Sequence, residues 1–123
     1  MMLRNLTPFP IRIGSAQAPE IPSSGAPRVQ RATGTVELVS FEDHPELGEV
    51  RVESAGAIAG IDGLPDAEFG VDVILPLAVV EAMRATGRTT GGRVFTPMML
   101  REEGGVKFAP GLIRHPDVET RWR

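Results

Sequence analysis

The stretch GVDVILPLAVVEAMRATG, residues 70–87, places a strand, a sharp turn and a short helix within eighteen residues. Residues 71–75 are the most apolar run of the chain, so we predict that they form a central strand. Pro76 follows at a position where a helix tolerates proline, because its missing N–H would be unpaired in the first turn anyway. Gly87 is a candidate left-handed C-cap. The pattern therefore predicts one substantial helix over residues 76–86.

The predicted helix is amphipathic. Leu77, Val80 and Met83, with alanines between them, are expected to form its inner face. Glu81 and Arg84 fall on the outer face, three residues apart, where they can pair weakly. A helix of about 11 residues is only marginally stable alone, so we expect it to pack on a sheet.

The rest of the chain is divided into short segments by 14 glycines and 11 prolines. Between them, apolar and polar side chains follow the spacing of β-strands. The predicted strands cover residues 28–31, 35–39, 50–53, 93–96, 98–100, 106–108 and 111–113. Residues 54–67, rich in Gly and Ala, are either flexible or closely packed. The sequence therefore predicts a mainly β (α+β) domain, a small antiparallel or mixed sheet of short strands with one short helix packed on it.

Turns are predicted at three places. Thr33-Gly34 is a candidate tight turn between the first two of these strands, and residues 43–48 form a turn cluster before the next one. Residues 102–105 (EEGG) are the best hairpin turn of the chain. They are expected to join the strands on either side of them.

Proline also marks the predicted sheet edges. Pro8 and Pro10 interrupt residues 3–13, and Pro97 interrupts residues 94–100. Because proline removes a backbone donor, both segments are expected at edges, or as a bent entry to the sheet in the first case.

The ends and one loop complete the predicted organisation. The 123 residues are predicted to form a single β-rich domain, 1–123. Residues 15–25 form a loop that Ile21 attaches to the core. Residues 115–123 are expected to be a surface tail, unless Trp122 docks onto the domain.

Composition excludes several classes of protein. The net charge of −3 argues against a nucleic-acid partner that is attracted by a basic surface. The chain has no cysteine, so disulfides, thiolate metal sites and cysteine nucleophiles are excluded. No apolar run approaches the ~20 residues that span a bilayer, and the first residues lack a signal-peptide core. We therefore expect no membrane partner and a cytoplasmic location.

Few side chains offer catalytic chemistry. His44 and His115 lie in similar contexts, each followed by proline and an acidic residue. One interpretation is a metal site that joins both histidines with the neighbouring carboxylates; two ordinary turns are the alternative, which the spacing favours. No serine lies in a Gly-x-Ser-x-Gly motif. We expect no catalytic residue, no metal and no cofactor, and a protein that is not an enzyme.

Residues 87–93, GRTTGGR, are the best candidate for an anion site. Glycine backbone donors and the guanidinium groups of Arg88 and Arg93 could bind a phosphate, with Thr89 and Thr90 between them. The loop is not a P-loop, because it lacks the lysine and follows a helix instead of opening one. The alternative is a helix C-cap followed by a flexible connection.

A neighbouring subunit could add contacts to this ligand through Arg28, or through Asn5 and Thr7. Arginines that alternate with apolar residues, as around Arg28, occur at subunit interfaces and in phosphate pockets, although a solvated outer face is the alternative. Sheet edges tend to be covered, and Met98 and Met99 add apolar surface that one sheet face cannot hide. We therefore expect a homo-oligomer, most simply a dimer.

Several short motifs resemble a family of small uncharacterised proteins of tailed phages and prophages. The resemblance rests on residues 5–8 (NLTP), residues 21–25 (IPSSG) and residues 63–65 (GLP), and it continues through residues 73–82 and 94–112. Family members typically carry Ser where Pro76 stands and Cys-Arg where this chain has Ala109-Pro110. The resemblance implies a viral setting rather than a mechanism. If a phage encodes the protein, the expected cytoplasmic location is the cytosol of the host cell.

Three classes of function are compatible with these observations. The first is non-enzymatic binding of a small anionic, nucleotide-like ligand, which could sequester a host defence signal during infection. The second is a structural or accessory phage protein that acts through protein–protein contacts. An enzyme is the third and least favoured class, because two loop histidines leave few general bases.

Overall fold

The structure, a computed structural model, describes residues 2–67 and 70–120. The described residues form ten strands, one α-helix and two short 3-10 turns. The strands are β1 (Leu3–Asn5), β2 (Arg28–Arg31), β3 (Val36–Ser40), β4 (Glu49–Glu53), β5 (Ile58–Asp62), β6 (Asp72–Ile74), β7 (Val94–Pro97), β8 (Arg101–Glu103), β9 (Val106–Phe108) and β10 (Leu112–Arg114). Helix α1 (Leu77–Thr86) lies between β6 and β7. The predicted mainly β, α+β fold with one helix is confirmed.

The main sheet has the strand order β1-β6-β7-β10. β1, β6 and β7 run parallel, and β10 pairs antiparallel with β7. β6 is thus an internal strand, as predicted, and β1 lies at the edge, as predicted for the first segment. The prediction of an edge at residues 94–100 is wrong, because β7 lies between β6 and β10. Pro97 is the last residue of β7, so its missing donor falls at the end of the strand.

β6 is buried on both faces, which explains its continuous apolar sequence. Val73 and Leu75 belong to the core that includes α1, while Ile74 packs with Ile11 and Ala109 in a second cluster. Successive strand residues point to opposite faces, so one apolar run serves both clusters. Ile21 packs against the second cluster, as the sequence predicted.

Helix α1 ends as predicted, since Gly87 adopts the left-handed conformation with φ 69° and its N–H bonds the Met83 carbonyl. The predicted inner face needs a correction. The buried side chains are those of Val79, Val80, Ala82 and Met83. Leu77, the first residue of the helix, is 53% exposed and does not belong to this buried face.

β2 to β5 form one long two-stranded ribbon. β2 pairs antiparallel with β5, and β3 with β4, from Arg28 opposite Asp62 to Ser40 opposite Glu49, with one shift of register between Gln30 and Arg31. The predicted tight turn at Thr33-Gly34 is therefore wrong: the chain passes through these residues from β2 into β3, and the two strands do not pair with each other. The turn predicted at residues 43–48 closes the ribbon and contains the 3-10 turn Pro45–Leu47.

The described residues test three further predictions. The predicted hairpin at residues 102–105 is present, joining β8 to β9. The sequence alone does not decide whether residues 54–67 are flexible or closely packed. They contain β5, whose Ile61 is buried in the core. The prediction of a surface tail is wrong for residues 115–120, since Val118 is only 2% exposed and packs in the core. Residues 121–123, with Trp122, lie outside the described residues.

Candidate functional site

Arg93, one of the two arginines of the predicted anion loop, is bonded inside the protein. Its Nε and Nη2 donate to Oδ2 of Asp72 at 3.1 and 2.7 Å, and its backbone N–H donates to Oδ1 at 2.8 Å. The side chain of Asp72 is 7% exposed. The hydrogen bond from the Arg93 guanidinium is the main cause that holds the pKa of the Asp72 carboxyl below its ordinary value. Arg93 therefore neutralises a buried carboxylate of its own chain.

A second ion pair lies beside the first. Arg114 donates from Nε and Nη2 to the two carboxylate oxygens of Glu119 at 3.0 and 2.7 Å. Glu119 also accepts the backbone N–H of Val94. The Arg114 hydrogen bond lowers the pKa of Glu119, whose side chain is mostly buried. Glu119 therefore joins the C-terminal segment to the start of β7, and the Asp72–Arg93 pair joins the start of β7 to β6.

The two threonines of the loop face the same C-terminal segment. Thr90 is buried, and its backbone bonds Val118 and Thr120 at 3.2 and 2.7 Å. Its hydroxyl has no hydrogen-bond partner among the described residues. The Thr89 and Thr120 hydroxyls lie 2.8 Å apart. Both threonines thus contribute to packing between the loop and residues 118–120.

Gly92 also has a packing role. A Cβ atom at this position would lie 2.1 Å from the carbonyl oxygen of Val71. The glycine is therefore required by a close approach of two backbone segments, and the sequence could not separate this from an approach to a phosphate.

Arg88 is the arginine of the loop that lines an open cleft. Its Nη1 donates to the Ile61 carbonyl at 3.1 Å. The cleft, which we call the Arg88 cleft, has a volume of about 510 Å³. It is lined by Leu64, Asp66, Ala67, Gly87, Arg88 and Thr89. The carboxyl group of Asp66 gives this cleft a mixed charge.

Asn5 and Thr7 form a buried clip within their own segment. The Asn5 amide nitrogen donates to the carbonyls of Phe9 and Ile21 at 2.8 and 3.1 Å. Its oxygen accepts the backbone N–H of Thr7 at 3.0 Å and the Thr7 hydroxyl at 2.5 Å. These bonds give both residues a structural role in their own chain. Arg28 begins β2, exposed and opposite Asp62, and none of these three residues lines the Arg88 cleft.

The two histidines lie in different surroundings. His44 is exposed beside Asp43 and Glu46 in the turn of the ribbon. His115 contacts Nη2 of Arg84 through Nδ1 at 2.9 Å and the Thr96 hydroxyl through Nε2 at 2.8 Å. In residues 2–67 and 70–120, no group of three or more His, Asp or Glu side chains is placed to hold a metal ion.

A further ion pair beside His115 joins α1 to the C-terminal segment. Arg84 donates to both carboxylate oxygens of Asp117. This hydrogen bonding is the main cause of the lowered pKa of Asp117. The sequence predicts only that Arg84 lies on the outer helix face, because no local signal connects it to Asp117, 33 positions away.

Two exposed apolar surfaces stand out in the structure, and the sequence alone does not reveal them. The first, which we call the apolar groove, has a volume of about 530 Å³ and a lining dominated by carbon atoms. It is lined by Thr7, Phe9, Pro10, Ile11, Arg12, Pro97, Leu100 and Lys107. Phe9 is 75% exposed, and Met99, next to the groove residue Leu100 in the chain, is 90% exposed.

The second surface is the outer half of the ribbon, residues 35–54, which we call the arm. All its residues are exposed except Val39 and Val50, which pair across the two strands. Five large apolar side chains of the arm are exposed: Val36, Leu38, Phe41, Leu47 and Val52. The alternation of apolar and charged residues predicts strands here. It does not reveal that the apolar side chains of these strands stay exposed.

No helix of the described residues is long and apolar enough to cross a membrane. Comparison of the chain with protein-family models, curated proteins and solved structures finds no match.

Proposed function

We propose that this protein is non-enzymatic and acts through protein–protein contacts, as a structural or accessory protein of a phage. The observation that carries the proposal is the arm, which extends from the core and exposes apolar side chains along its length. The resemblance to a phage family supports the viral setting.

Energetics support a partner for the arm. A two-stranded hairpin without further packing is marginally stable in water. Burying a Phe or Leu side chain contributes roughly 1.5–3 kcal/mol. Phe41 and Leu47 at the tip are 42% and 55% exposed, so a partner that covers them would stabilise both the complex and the arm.

The ionised groups support a non-enzymatic protein. Within residues 2–67 and 70–120, the side-chain carboxyls with shifted pKa values are those of Asp72, Asp117 and Glu119, and all three pKa values are lowered, mainly by hydrogen bonds from arginine. Such groups stay charged near neutral pH and do not act as general acids. Their arginine partners hold strands, helix and C-terminal segment together.

Co-purification tests this function. Tagged protein is isolated from phage-producing cells in three forms: wild type, the double variant Phe41→Asp/Leu47→Asp, and Leu77→Asp as a matched control. Leu77 is an exposed apolar residue on α1, away from the arm. We expect wild type and the control to retain the same proteins, including untagged copies of the chain, and the arm variant to lose them. Equal retention by all three would refute the proposal.

The Arg88 cleft favours a second candidate function, the binding of a small anionic, nucleotide-like ligand. Arg88 and Thr89 line the cleft together with the helix C-cap Gly87, and Arg4 lines an adjoining cleft of about 310 Å³ that shares Asp66. Sequestration of a signal nucleotide needs only tight binding, so this function requires no catalytic group.

Calorimetry against cyclic nucleotides and ADP-ribose derivatives tests this second function. If a nucleotide binds in the cleft, Arg88→Ala should weaken its affinity roughly ten- to a hundredfold, since one charge-assisted bond contributes about 1.5–3 kcal/mol. Arg93→Ala is the control, and it should lower stability instead, because it removes both guanidinium hydrogen bonds from the buried Asp72 carboxylate. Absence of binding by every nucleotide in the series would eliminate this candidate.

A further inference from the structure

We propose that the arm of one copy docks in the apolar groove of a second copy, and the reverse, so that two chains form a reciprocal dimer. Phe41 and Leu47 at the tip of the arm fill the groove, and the acidic residues beside them pair with Lys107. The other groove cation, Arg12, already pairs with Glu20 of its own chain at 3.7 Å. This inference rests on the proposed function and names its partner.

The arm leaves the core through a joint that fixes its direction. A Cβ atom on Gly34 would lie 1.7 Å from the Ser54 carbonyl oxygen, and one on Gly56 would lie 1.7 Å from that of Ala32. The Thr35 carbonyl accepts the backbone N–H of Ser54 at 2.9 Å, and the two hydroxyl groups also bond. Such close contact of the two strands limits the arm's freedom to fold back on its own core.

The arm also extends far enough to reach another molecule. Its strands continue about six residues beyond the joint, which corresponds to roughly 20 Å at the usual rise of a β-strand. None of the arm residues belongs to the buried clusters of the core. The arm is therefore presented to a partner in a fixed direction.

Charge separates the arm from the rest of the chain. Of the 16 acidic and 13 basic side chains, the arm carries six and one, which leaves 10 and 12 on the remainder. The six carboxylates are those of Glu37, Glu42, Asp43, Glu46, Glu49 and Glu53. The single arginine, Arg51, already pairs with Glu53 at 2.8 Å. An acidic arm and a basic remainder attract each other between copies.

The groove has the chemistry that this arm requires. Phe9 and Leu100 offer exposed apolar surface, which matches Phe41 and Leu47. Lys107 is exposed and makes no ion pair with a described residue. Because one chain carries both complementary surfaces, a two-fold dimer satisfies both arms and both grooves at once.

The single lysine allows a direct test of this contact. Lys107 is the only lysine of the chain, so a carbodiimide that joins amines to carboxylates can use one side-chain amine per copy. An equal mixture of ¹⁴N and ¹⁵N protein is cross-linked and analysed by mass spectrometry. We expect Lys107 joined to Glu42, Asp43 or Glu46 in peptides of mixed isotope. Lys107→Arg should remove this cross-link and keep the dimer mass in light scattering.

A charge exchange tests the same contact without cross-linking. The tip variant Glu42→Lys/Glu46→Lys and the groove variant Lys107→Glu should each dissociate at least tenfold more readily than wild type. Mixed together, they should form a heterodimer, because each then offers the charge that the other's contact needs. Circular dichroism checks that each variant is folded.

The outcomes separate this inference from the proposed function. A wild-type chain that stays monomeric at about 50 µM, or variants that fail to rescue each other on mixing, would refute the arm-exchanged dimer. If the arm still retains a different protein in the co-purification, the proposed function survives this failure. If Phe41→Asp/Leu47→Asp changes neither dimer nor retained proteins, both are refuted.

Discussion

The buried Asp72 and its partner Arg93 make the stability of the protein depend on pH. Asp72 interrupts the most apolar segment of the chain, and its carboxylate accepts three hydrogen bonds from Arg93. Because the folded-state pKa is lowered, the unfolded state binds the proton more readily. The stabilisation that the pair provides is therefore complete above the pKa of Asp72 in the unfolded state, about 3.9. It is lost as the pH falls through the pKa of Asp72 in the folded state.

We expect the free energy of unfolding to fall as the pH drops below about 4, and to fall less in Asp72→Asn. At neutral pH this variant should be less stable by about 1.5–3 kcal/mol, since it loses bonds to a charged group. Urea titrations at several pH values measure both effects. Parallel pH profiles for wild type and variant would show that Asp72 does not cause the acid sensitivity. The pKa values of Glu119 and Asp117 are also lowered, so these two carboxylates account for any pH dependence of the unfolding free energy that remains in the variant.

Val73 tests the centre of the core. Its side chain is fully buried between the sheet and α1. Val73→Asp should cost more than about 3 kcal/mol, because it buries an unpaired charge. Ile113→Asp, at an exposed position of the same sheet, is the control and should be nearly neutral. Thermal and urea unfolding of both variants check this; similar losses in the two would contradict the burial of Val73.

Among the elements, the ribbon depends on two glycines at the joint. Gly34→Ala should separate the strands there, because the added Cβ atom meets a backbone carbonyl rather than a movable side chain. We expect faster amide hydrogen exchange in β3 and β4 and unchanged exchange in α1.

Gly60→Ala is the matched control for the joint. Gly60 lies in the same ribbon, and a Cβ atom there meets nothing within 4 Å. Its exchange pattern should equal that of wild type. Slow exchange of β3 and β4 in the Gly34 variant would mean that the arm does not depend on this close approach.

For the whole molecule, the separation of charge predicts a salt effect on self-association. The Debye length falls from about 10 Å at 0.1 M salt to about 3 Å at 1 M, so exposed charge pairs weaken. We expect the dimer dissociation constant to rise several-fold over this range in sedimentation experiments. Lys107→Arg, which keeps the charge, should show the same rise, and Lys107→Glu should lose most of it. If the dissociation constant of the wild-type dimer did not change with salt, a contact between the tip carboxylates and Lys107 would be contradicted.

Local signals were sufficient for the helix, the central strand and two of the turns. Pro76 and Gly87 set the bounds of α1 through backbone preferences that need no tertiary contact. The hairpin at residues 102–105 likewise follows from its glycines. These features were predictable because their causes lie within a few residues of the chain.

The tertiary structure decided strand pairing and the partners of the polar residues. The spacing around Thr33-Gly34 is equally compatible with a turn and with a continuing ribbon, and only the pairing of residues 28–40 with residues 49–62 selects the second. Arg93 was a good anion ligand by its chemistry, yet Asp72 lies 21 positions away and takes its donors. Such choices depend on contacts between distant residues, which a local pattern does not contain.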